Sequence, residues 1–234
     1  MHRHKLETDV NAEPWELLEH TPFRKSLGLP EGSEQTVGEL MTPTLGPGTI
    51  AEPLRLDVAG RSEANLMVRS RGFDDEATSD LIVSPTLEAI LRAGNLPRQA
   101  TIACEAFVFP AGSFGVLPRN RKPKGPHPFR WLWWQEYFAD RLDPQRSRFR
   151  IRFRDGTIDH ASYESLEDLA QVRRRAANTL DFDLRLETIA WSDPAVDALD
   201  VVPMDIGDVY LSDAMADRLS AAALPGVRVV PLDR

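Results

Sequence analysis

Residues 80–97 read DLIVSPTLEAILRAGNLP, and residues 208–225 read DVYLSDAMADRLSAAALP. The two segments align without a gap at a constant offset of 128 residues, Asp80 against Asp208. Ser84/Ser212, Leu91/Leu219, Ala93/Ala221, Leu96/Leu224 and Pro97/Pro225 are also identical pairs. Leu81/Val209, Val83/Leu211 and Leu87/Met215 exchange one apolar residue for another. Spaced agreement of this kind marks one structural unit used twice, and it limits the fold to one that accommodates two like units.

Each copy reads as strand–helix–strand. Leu81-Ile82-Val83 is a short β-branched apolar run. Ser84 stands where an N-cap belongs, and Pro85 takes the first helical position, where a missing N–H costs nothing. Leu87, Ile90 and Leu91 share one helical face. Gly94 is expected to end the helix with a positive φ, and Thr101–Phe109 is a run of strand formers. In the second copy Val209–Leu211 is the strand, Ser212 the cap, and Met215 and Leu219 the helix face with Ala222 beside them. Ala222 stands in the place of Gly94, so this helix is expected to run on to Ala223 before Pro225 and Gly226 stop it. Val227–Val230 is the last strand.

Around the copies the chain is proline-rich, with 18 prolines in 234 residues, which predicts long irregular connections. Residues 1–50 read as a Pro-rich N-terminal arm with a short helix at Trp15–Glu19. Residues 51–234 read as a single α+β domain, with 51–116 and 117–234 as two pseudo-equivalent halves a further option. Pro53–Val58 and Asn65–Val68 read as strands, and Gly72–Ser79 as an acidic loop. The stretch 117–130 reads as an extended basic loop, leading into a helix or aromatic strand at WLWWQEYFADRL. RFRIRFRDGTID alternates Phe149, Ile151 and Phe153 with arginines around Asp155-Gly156, which predicts a hairpin with a type I′ turn. Ser165 opens a helix to about Asn178, Phe182–Leu186 is a strand, and Asp193–Gly207 is a loop. The expected fold class is therefore α+β: mixed sheets with a duplicated strand–helix–strand unit (80–109 and 208–232) and a β-hairpin between the copies.

The net charge of −8 is unevenly spread. Between Arg119 and Arg154 eleven Lys and Arg face three acids, so this segment carries +8 and the remainder −16. Either the surface is electrostatically polarised or these charges scatter over solvated faces. The acidic balance argues against general nucleic-acid binding. One cysteine, Cys104, excludes an internal disulfide. No apolar run reaches membrane-spanning length and the N-terminus lacks a signal-peptide core, so a cytoplasmic location is expected.

Candidate chemistry is thin. Ser84 and Ser212 at strand-to-helix turns invite a nucleophile reading, but neither lies in Gly-x-Ser-x-Gly, and structural helix capping explains both at once. Asp80 and Asp208 recur in register, which favours a structural role over an acid–base pair. His2 and His4, on an N-terminus expected to fray, are too few to close a metal site. Pairing of Cys104 with His127 or His160 stays open, against a lone Cys as a small buried hydrophobe. Arg173–Arg175 reads as a solvated charge run. No cofactor or metal motif occurs. Arg119, Arg121, Lys122 and Lys124 beside Trp131, Trp133 and Trp134 are the candidate partner-binding residues. For these, core packing of Trp131 and Trp133 with the basic loop solvated ranks first, a protein interface second and single-strand stacking third.

The C-terminal DVYLSDAMADRLSAAALPGVRVVPL resembles the closing motif of certain immunity proteins of bacterial polymorphic toxin systems, which end in a strand, a Ser-capped helix, a Gly and a last strand. DLIVSPTLEAILRAGNLP resembles the same motif in the middle of such chains. The resemblance implies a non-enzymatic α+β protein that binds and neutralises, by occlusion, a cognate toxin encoded nearby. A hydrolase using Ser84 or Ser212 with His127 or His160, and a nucleic-acid-binding module at 119–134, are the alternatives.

Overall fold

The computed structural model describes residues 2–8, 16–17, 52–60, 64–69, 81–110, 122–179, 181–204 and 208–232. In chain order the strands are β1 (His2–Thr8), β2 (Glu16–Leu17), β3 (Leu54–Gly60), β4 (Leu66–Arg69), β5 (Leu81–Val83), β6 (Gln99–Pro110) and β7 (Lys124–Trp134), then β8 (Arg148–Phe153), β9 (Ile158–Ala161), β10 (Phe182–Thr188), β11 (Val201–Pro203), β12 (Val209–Ser212) and β13 (Val227–Pro231). Among the described residues four α-helices join them: α1 (Pro85–Arg92), α2 (Leu166–Thr179), α3 (Pro194–Asp197) and α4 (Asp213–Ala222). The protein is α+β. Its strands form a closed barrel in the order β2-β3-β6-β7-β5-β4, a four-stranded sheet β11-β12-β1-β13, and a three-stranded sheet β10-β8-β9.

The repeat is larger than its sequence signature. Leu66 and Met67 of β4 pair with Val83 and Ile82 of β5, and Val201 and Val202 of β11 pair with Leu211 and Tyr210 of β12 in the same register. On the other side, β7 sets Leu132 and Trp131 against Leu81 and Ile82, as β1 sets Leu6 and Lys5 against Val209 and Tyr210. The fourth strands repeat too: Thr101 and Ile102 of β6 face Leu132 and Trp131, and Val229 and Val230 of β13 face Leu6 and Lys5. Each unit is thus four antiparallel strands carrying one helix. The inner strand of the second unit, β1, comes from the first residues of the chain, ahead of every strand of the first unit. The inner strand of the first unit, β7, lies at the start of the stretch from 117 onward that also supplies β11, β12 and β13 of the second unit. Counted by sequence, each half supplies the inner strand of the other.

Between the units lies a shared core. Leu81, Val83, Leu87, Leu91, Leu132 and Trp134 of the first unit pack with Leu6, Val209, Leu211, Met215, Ala216 and Leu219 of the second. Both helices place their apolar stripe here, as their spacing predicts. Gly94 does not take a positive φ, and Ala93 ends α1 in the right-handed region. The glycine has a different reason: a Cβ there would lie 2.5 Å from Met215 Cε and 2.8 Å from Asp200 Oδ2. Close approach of the units, not helix termination, is what a side chain there would meet: Met215 and Asp200 would both have to shift. In the second unit α4 stops at Ala222, and Ala223 takes the left-handed conformation at φ 46°.

In the first unit, β2 and β3 curl round to close the barrel. Leu54, Leu56, Val58, Ile82, Ile102, Cys104, Phe129 and Trp131 fill it, with Trp133 half-buried against them. In the second unit the corresponding sheet face is covered by the β8–β10 sheet and α2. There Phe149, Leu169, Leu186, Trp191, Val202 and Tyr210 form a third core.

Several local expectations needed correction. Glu16–Leu17 is a strand inside the span expected as helix. His2–Thr8 is an inner strand and does not fray. Lys124–Arg130, expected as loop, is the start of β7, its edge paired to β6 despite two prolines. The expected 193–207 loop contains α3 and β11. The hairpin forms at β8/β9, but only Gly156 of its turn has positive φ, at 86°, so the turn is not type I′, which needs positive φ at both central residues. The acidic loop expected at 72–79 lies outside the described residues, as do Asp80, Arg119 and Arg121.

Candidate partner-binding cleft

The serines of the repeat are settled by their bonds. Ser84 Oγ accepts from the Leu87 N–H at 3.2 Å, and Ser212 Oγ accepts from the Met215 N–H at 3.2 Å. Both are N-caps in the same extended backbone conformation, each satisfying a helix N–H that has no intrahelical acceptor. Each hydroxyl then donates its own proton to a residue just ahead of the unit's first strand: Ser84 to Asn65 Oδ1 at 2.7 Å, and Ser212 to Asp200 Oδ1. The backbone repeats this, with Ser84 N donating to Asn65 O and Ser212 N to Asp200 O.

Asn65 and Asp200 also reach across to the opposite unit. Asn65 N and Nδ2 donate to Pro225 O at 3.2 and 3.0 Å. Asp200 N donates to Asn95 O at 2.7 Å, and Asp200 Oδ2 accepts from Asn95 N at 2.9 Å. Each cap is therefore one half of a reciprocal clasp. Among the described residues neither serine is bonded to an imidazole. Among the histidines, His160 Nδ1 bonds Glu187 Oε2 at 2.9 Å on the hairpin sheet, and His127 lies on β7 opposite Ala106.

Cys104 faces the barrel core, 1% exposed, and burial pushes its thiol up to about 12. A thiol so far from ionisation is neither nucleophile nor ready metal ligand. Among the described residues no group of three His, Cys, Asp or Glu is placed to hold a metal ion.

The candidate basic–aromatic cluster is divided. Lys122 and Lys124 are exposed, Trp133 is half-buried, and Trp131 and Trp134 are 3% and 1% exposed. Trp131 points into the barrel core and Trp134 into the core shared by the two units, as alternate residues of one strand must. Of the two rings expected in the core, Trp131 is buried and Trp133 only half-buried, and Trp134, which is not among them, is buried as well.

The open surface lies elsewhere, on the second unit. Two adjoining clefts, of about 640 and 600 Å³, share Arg173, Asp183 and Leu184. The first runs between the second unit's sheet and the hairpin sheet and is lined in part by Lys5, Glu7, Asp208, Tyr210, Arg150 and Arg185. The second continues between α2 and the hairpin tip, where Phe153, Phe182, Leu184 and Ala176 form an apolar floor beside Arg152 and Arg154.

Register shows what changed between the units. Lys5 takes the place of Trp131, and Tyr210 that of Ile82. The face that fills a barrel core in one copy is divided in the other between the third core, which takes Tyr210, and a polar cleft, which Lys5 lines.

That polar wall is internally balanced. Lys5 Nζ lies 2.8 Å from Asp208 Oδ1 and 3.4 Å from Glu7 Oε1, and Tyr210 donates to Asp208 Oδ2 at 3.1 Å. Burial works against the Lys5 ammonium, but Asp208 and Glu7 outweigh it and hold its pKa above the ordinary value. Burial, and then the Asp208 charge, push the Tyr210 phenol well above its usual range. Lys5 thus stays charged and Tyr210 neutral near pH 7, which suits recognition and not proton transfer. Arg185 pairs with Asp183 at 2.6 Å. Arg152, Arg173 and Arg174 form no ion pair with a described residue. Over both clefts seven Lys and Arg meet three acids, so this surface is cationic on a chain of net charge −8.

Of the cations on this surface only Arg150, Arg152 and Arg154 belong to the basic segment singled out in the sequence. The arginines of α2, read there as solvated, and those of β10 join them through the fold. Compared with family models and with curated proteins, the chain matches none. No described helix is long and apolar enough to cross a membrane.

Proposed function

We propose that this protein works by binding: an immunity protein, cytoplasmic, that neutralises a cognate bacterial toxin by occlusion and performs no chemistry of its own. The observation that carries this reading is the cationic, apolar-floored cleft built where the second unit departs from the first. A duplicated scaffold that closes one copy into a barrel, and covers the equivalent face of the other with a separate sheet that leaves a polar cleft beside it, is specialised at that face. The cleft offers Arg side chains and aromatic rings, the residue types that anchor protein interfaces. The capping bonds of Ser84 and Ser212 support the same reading, because they give the most suspicious hydroxyls a structural task. The sequence resemblance of both repeat copies to immunity proteins supplies the partner class.

The test is protection. Cells expressing the toxin gene adjacent to this one should survive when this protein is co-expressed, and the purified pair should form a stable complex. Failure of the protein to bind any product of the adjacent genes would overturn the reading. The hydrolase alternative predicts turnover that Ser84→Ala or Ser212→Ala abolishes. The nucleic-acid alternative at 119–134 is weakened by the burial of Trp131 and Trp134, and it predicts oligonucleotide binding that falls steeply with salt.

A further inference from the structure

We propose that the groove between α2 and the hairpin tip, together with the cleft that adjoins it, seats an acidic segment of the partner protein, with carboxylates on Arg152 and Arg173 in the groove and on Arg174 in the adjoining cleft, and an apolar side chain on Phe153 and Phe182. This deepens the binding reading and rests on it.

The three arginines come from two elements: Arg152 of β8 and Arg173 of α2 line the groove, and Arg174, the next residue of α2, lines the adjoining cleft, which shares Arg173 with it. Their neighbours on the same surface are already matched, Arg185 by Asp183 and Lys5 by Asp208 and Glu7. These three have no described carboxylate. A guanidinium facing an opposing carboxylate can make two parallel hydrogen bonds to it.

The floor is the second observation. Phe153 is 38% exposed and Phe182 stands 6.0 Å from it, centroid to centroid. Leu184 and Ala176 line the same space. An open aromatic floor rimmed by cations matches a segment in which acidic residues flank an apolar one. Phe153 is one of only three large hydrophobic side chains exposed among the described residues, with Ile158 of the same hairpin another.

The mixed charge decides between a polypeptide and a nucleic acid. Asp183 sits where the two clefts join, and Glu7 and Asp208 lie beyond it. A phosphate backbone carries charge at every step and would meet these carboxylates. A polypeptide can set its own carboxylates on the arginines and a neutral or basic residue opposite Asp183.

The test uses the full-length protein and a fluorescent peptide of alternating glutamate and leucine as probe, read by anisotropy at low salt. A peptide with glutamine for glutamate and a single-stranded oligonucleotide serve as comparison probes. The glutamate peptide should bind, and Arg152→Glu with Arg174→Glu should weaken it more than about tenfold. Arg98→Glu with Arg146→Glu makes the same charge change at exposed positions that line neither cleft, and should leave binding within about twofold. Arg152 and Arg174 are both exposed, so unchanged thermal melting is expected and keeps the result interpretable. Phe153→Ser, at unchanged charge, should also weaken the peptide severalfold. Equal losses in the two double variants, or tighter binding of the oligonucleotide than of the peptide, would overturn the proposal. Toxin protection separates the two readings. If wild type and the Arg152→Glu/Arg174→Glu variant protect equally, the groove is wrong and the inhibitor reading stands. If the groove binds the peptide as described and no adjacent toxin is neutralised, the groove stands and the inhibitor reading falls.

Discussion

At the scale of single residues the paired serines are chemically similar but not equal. Removing Ser84 Oγ leaves Leu87 N–H without its cap and Asn65 Oδ1, a neutral oxygen, without its donor. Removing Ser212 Oγ does the same to Met215 N–H and to Asp200, a carboxylate. Burial raises the Asp200 pKa, but the Ser212 hydroxyl and the Asn95 N–H together hold it below the ordinary value. A bond to a charged acceptor is stronger than one to a neutral acceptor. Ser84→Ala should therefore cost about 1 kcal/mol and Ser212→Ala about 2 kcal/mol of stability in urea unfolding. Equal costs would remove the distinction. His2 gives a second residue-scale prediction. Its ring is 1% exposed, with Nδ1 accepting from Trp191 Nε1–H at 3.0 Å and Nε2 donating to Leu199 O at 2.8 Å. Both nitrogens are committed in the neutral form, and a proton on Nδ1 would oppose the indole N–H. Burial lowers its pKa from 6.5, and the Leu199 bond and the Asp197 and Asp200 charges only partly offset this. The unfolded chain then binds the extra proton more readily than the folded one. The His2 contribution is complete above about pH 6.5 and is lost as pH falls through the lower folded value. Stability should fall between about pH 7 and pH 5, and His2→Gln should flatten that fall. A variant with the parent's slope over this range would assign the effect elsewhere.

At the scale of elements, the two helices end differently although their sequences run in parallel. At the end of α1, Gly94 is needed for space: Gly94→Ala forces a methyl onto Met215 and Asp200 and should cost about 1–3 kcal/mol. At the end of α4, Ala223 carries φ 46°, a conformation that an L side chain resists. Ala223→Gly should raise stability by about 0.5–1 kcal/mol. Opposite signs at the two helix ends, in paired thermal melts, are the expected result, and the same sign at both would contradict this account. The helix and strand of each copy were readable because their patterns are local: an apolar run, a hydroxyl, an amphipathic stripe, a stop. The hairpin at β8/β9 was readable for the same reason, though its turn class depended on the φ of Asp155, which composition does not set. Strand β1 was not readable, since HRHKLET carries one aliphatic residue, Leu6, and its place comes wholly from neighbours on both sides. The three-residue β11 and the proline-bearing start of β7 were hidden likewise, their pairing being supplied from far along the chain. The cleft was the least legible feature. Its residues come from β1, β8, α2, β10, β12 and β13, and the one local clue, the arginine alternation of β8, accounts for a single wall.

At the scale of the whole molecule, the exchange of inner strands makes the two units one cooperative body. Leu6 is 6% exposed and belongs by sequence to the start of the chain, by sheet to the second unit, and by packing to a core that contains Leu87, Leu91 and Leu132 of the first. Neither unit can open its helix-bearing face without stripping the other of apolar contact, and the clasps through Asn65 and Asp200 bind them at both ends. If the units were merely adjacent, their most protected amides would open with separate free energies. With a shared core and exchanged strands, amide hydrogen exchange should give β5 and β12 the same opening free energy, and urea unfolding should be a single transition. Leu6→Ala removes a buried side chain from that core and should cost about 2–5 kcal/mol. The loss should appear equally in β5, where Leu6 has no strand partner, and in β12, where it has one. A variant in which β12 weakens while β5 keeps its protection would show that the barrel holds itself together and that the exchange of strands is a matter of topology alone.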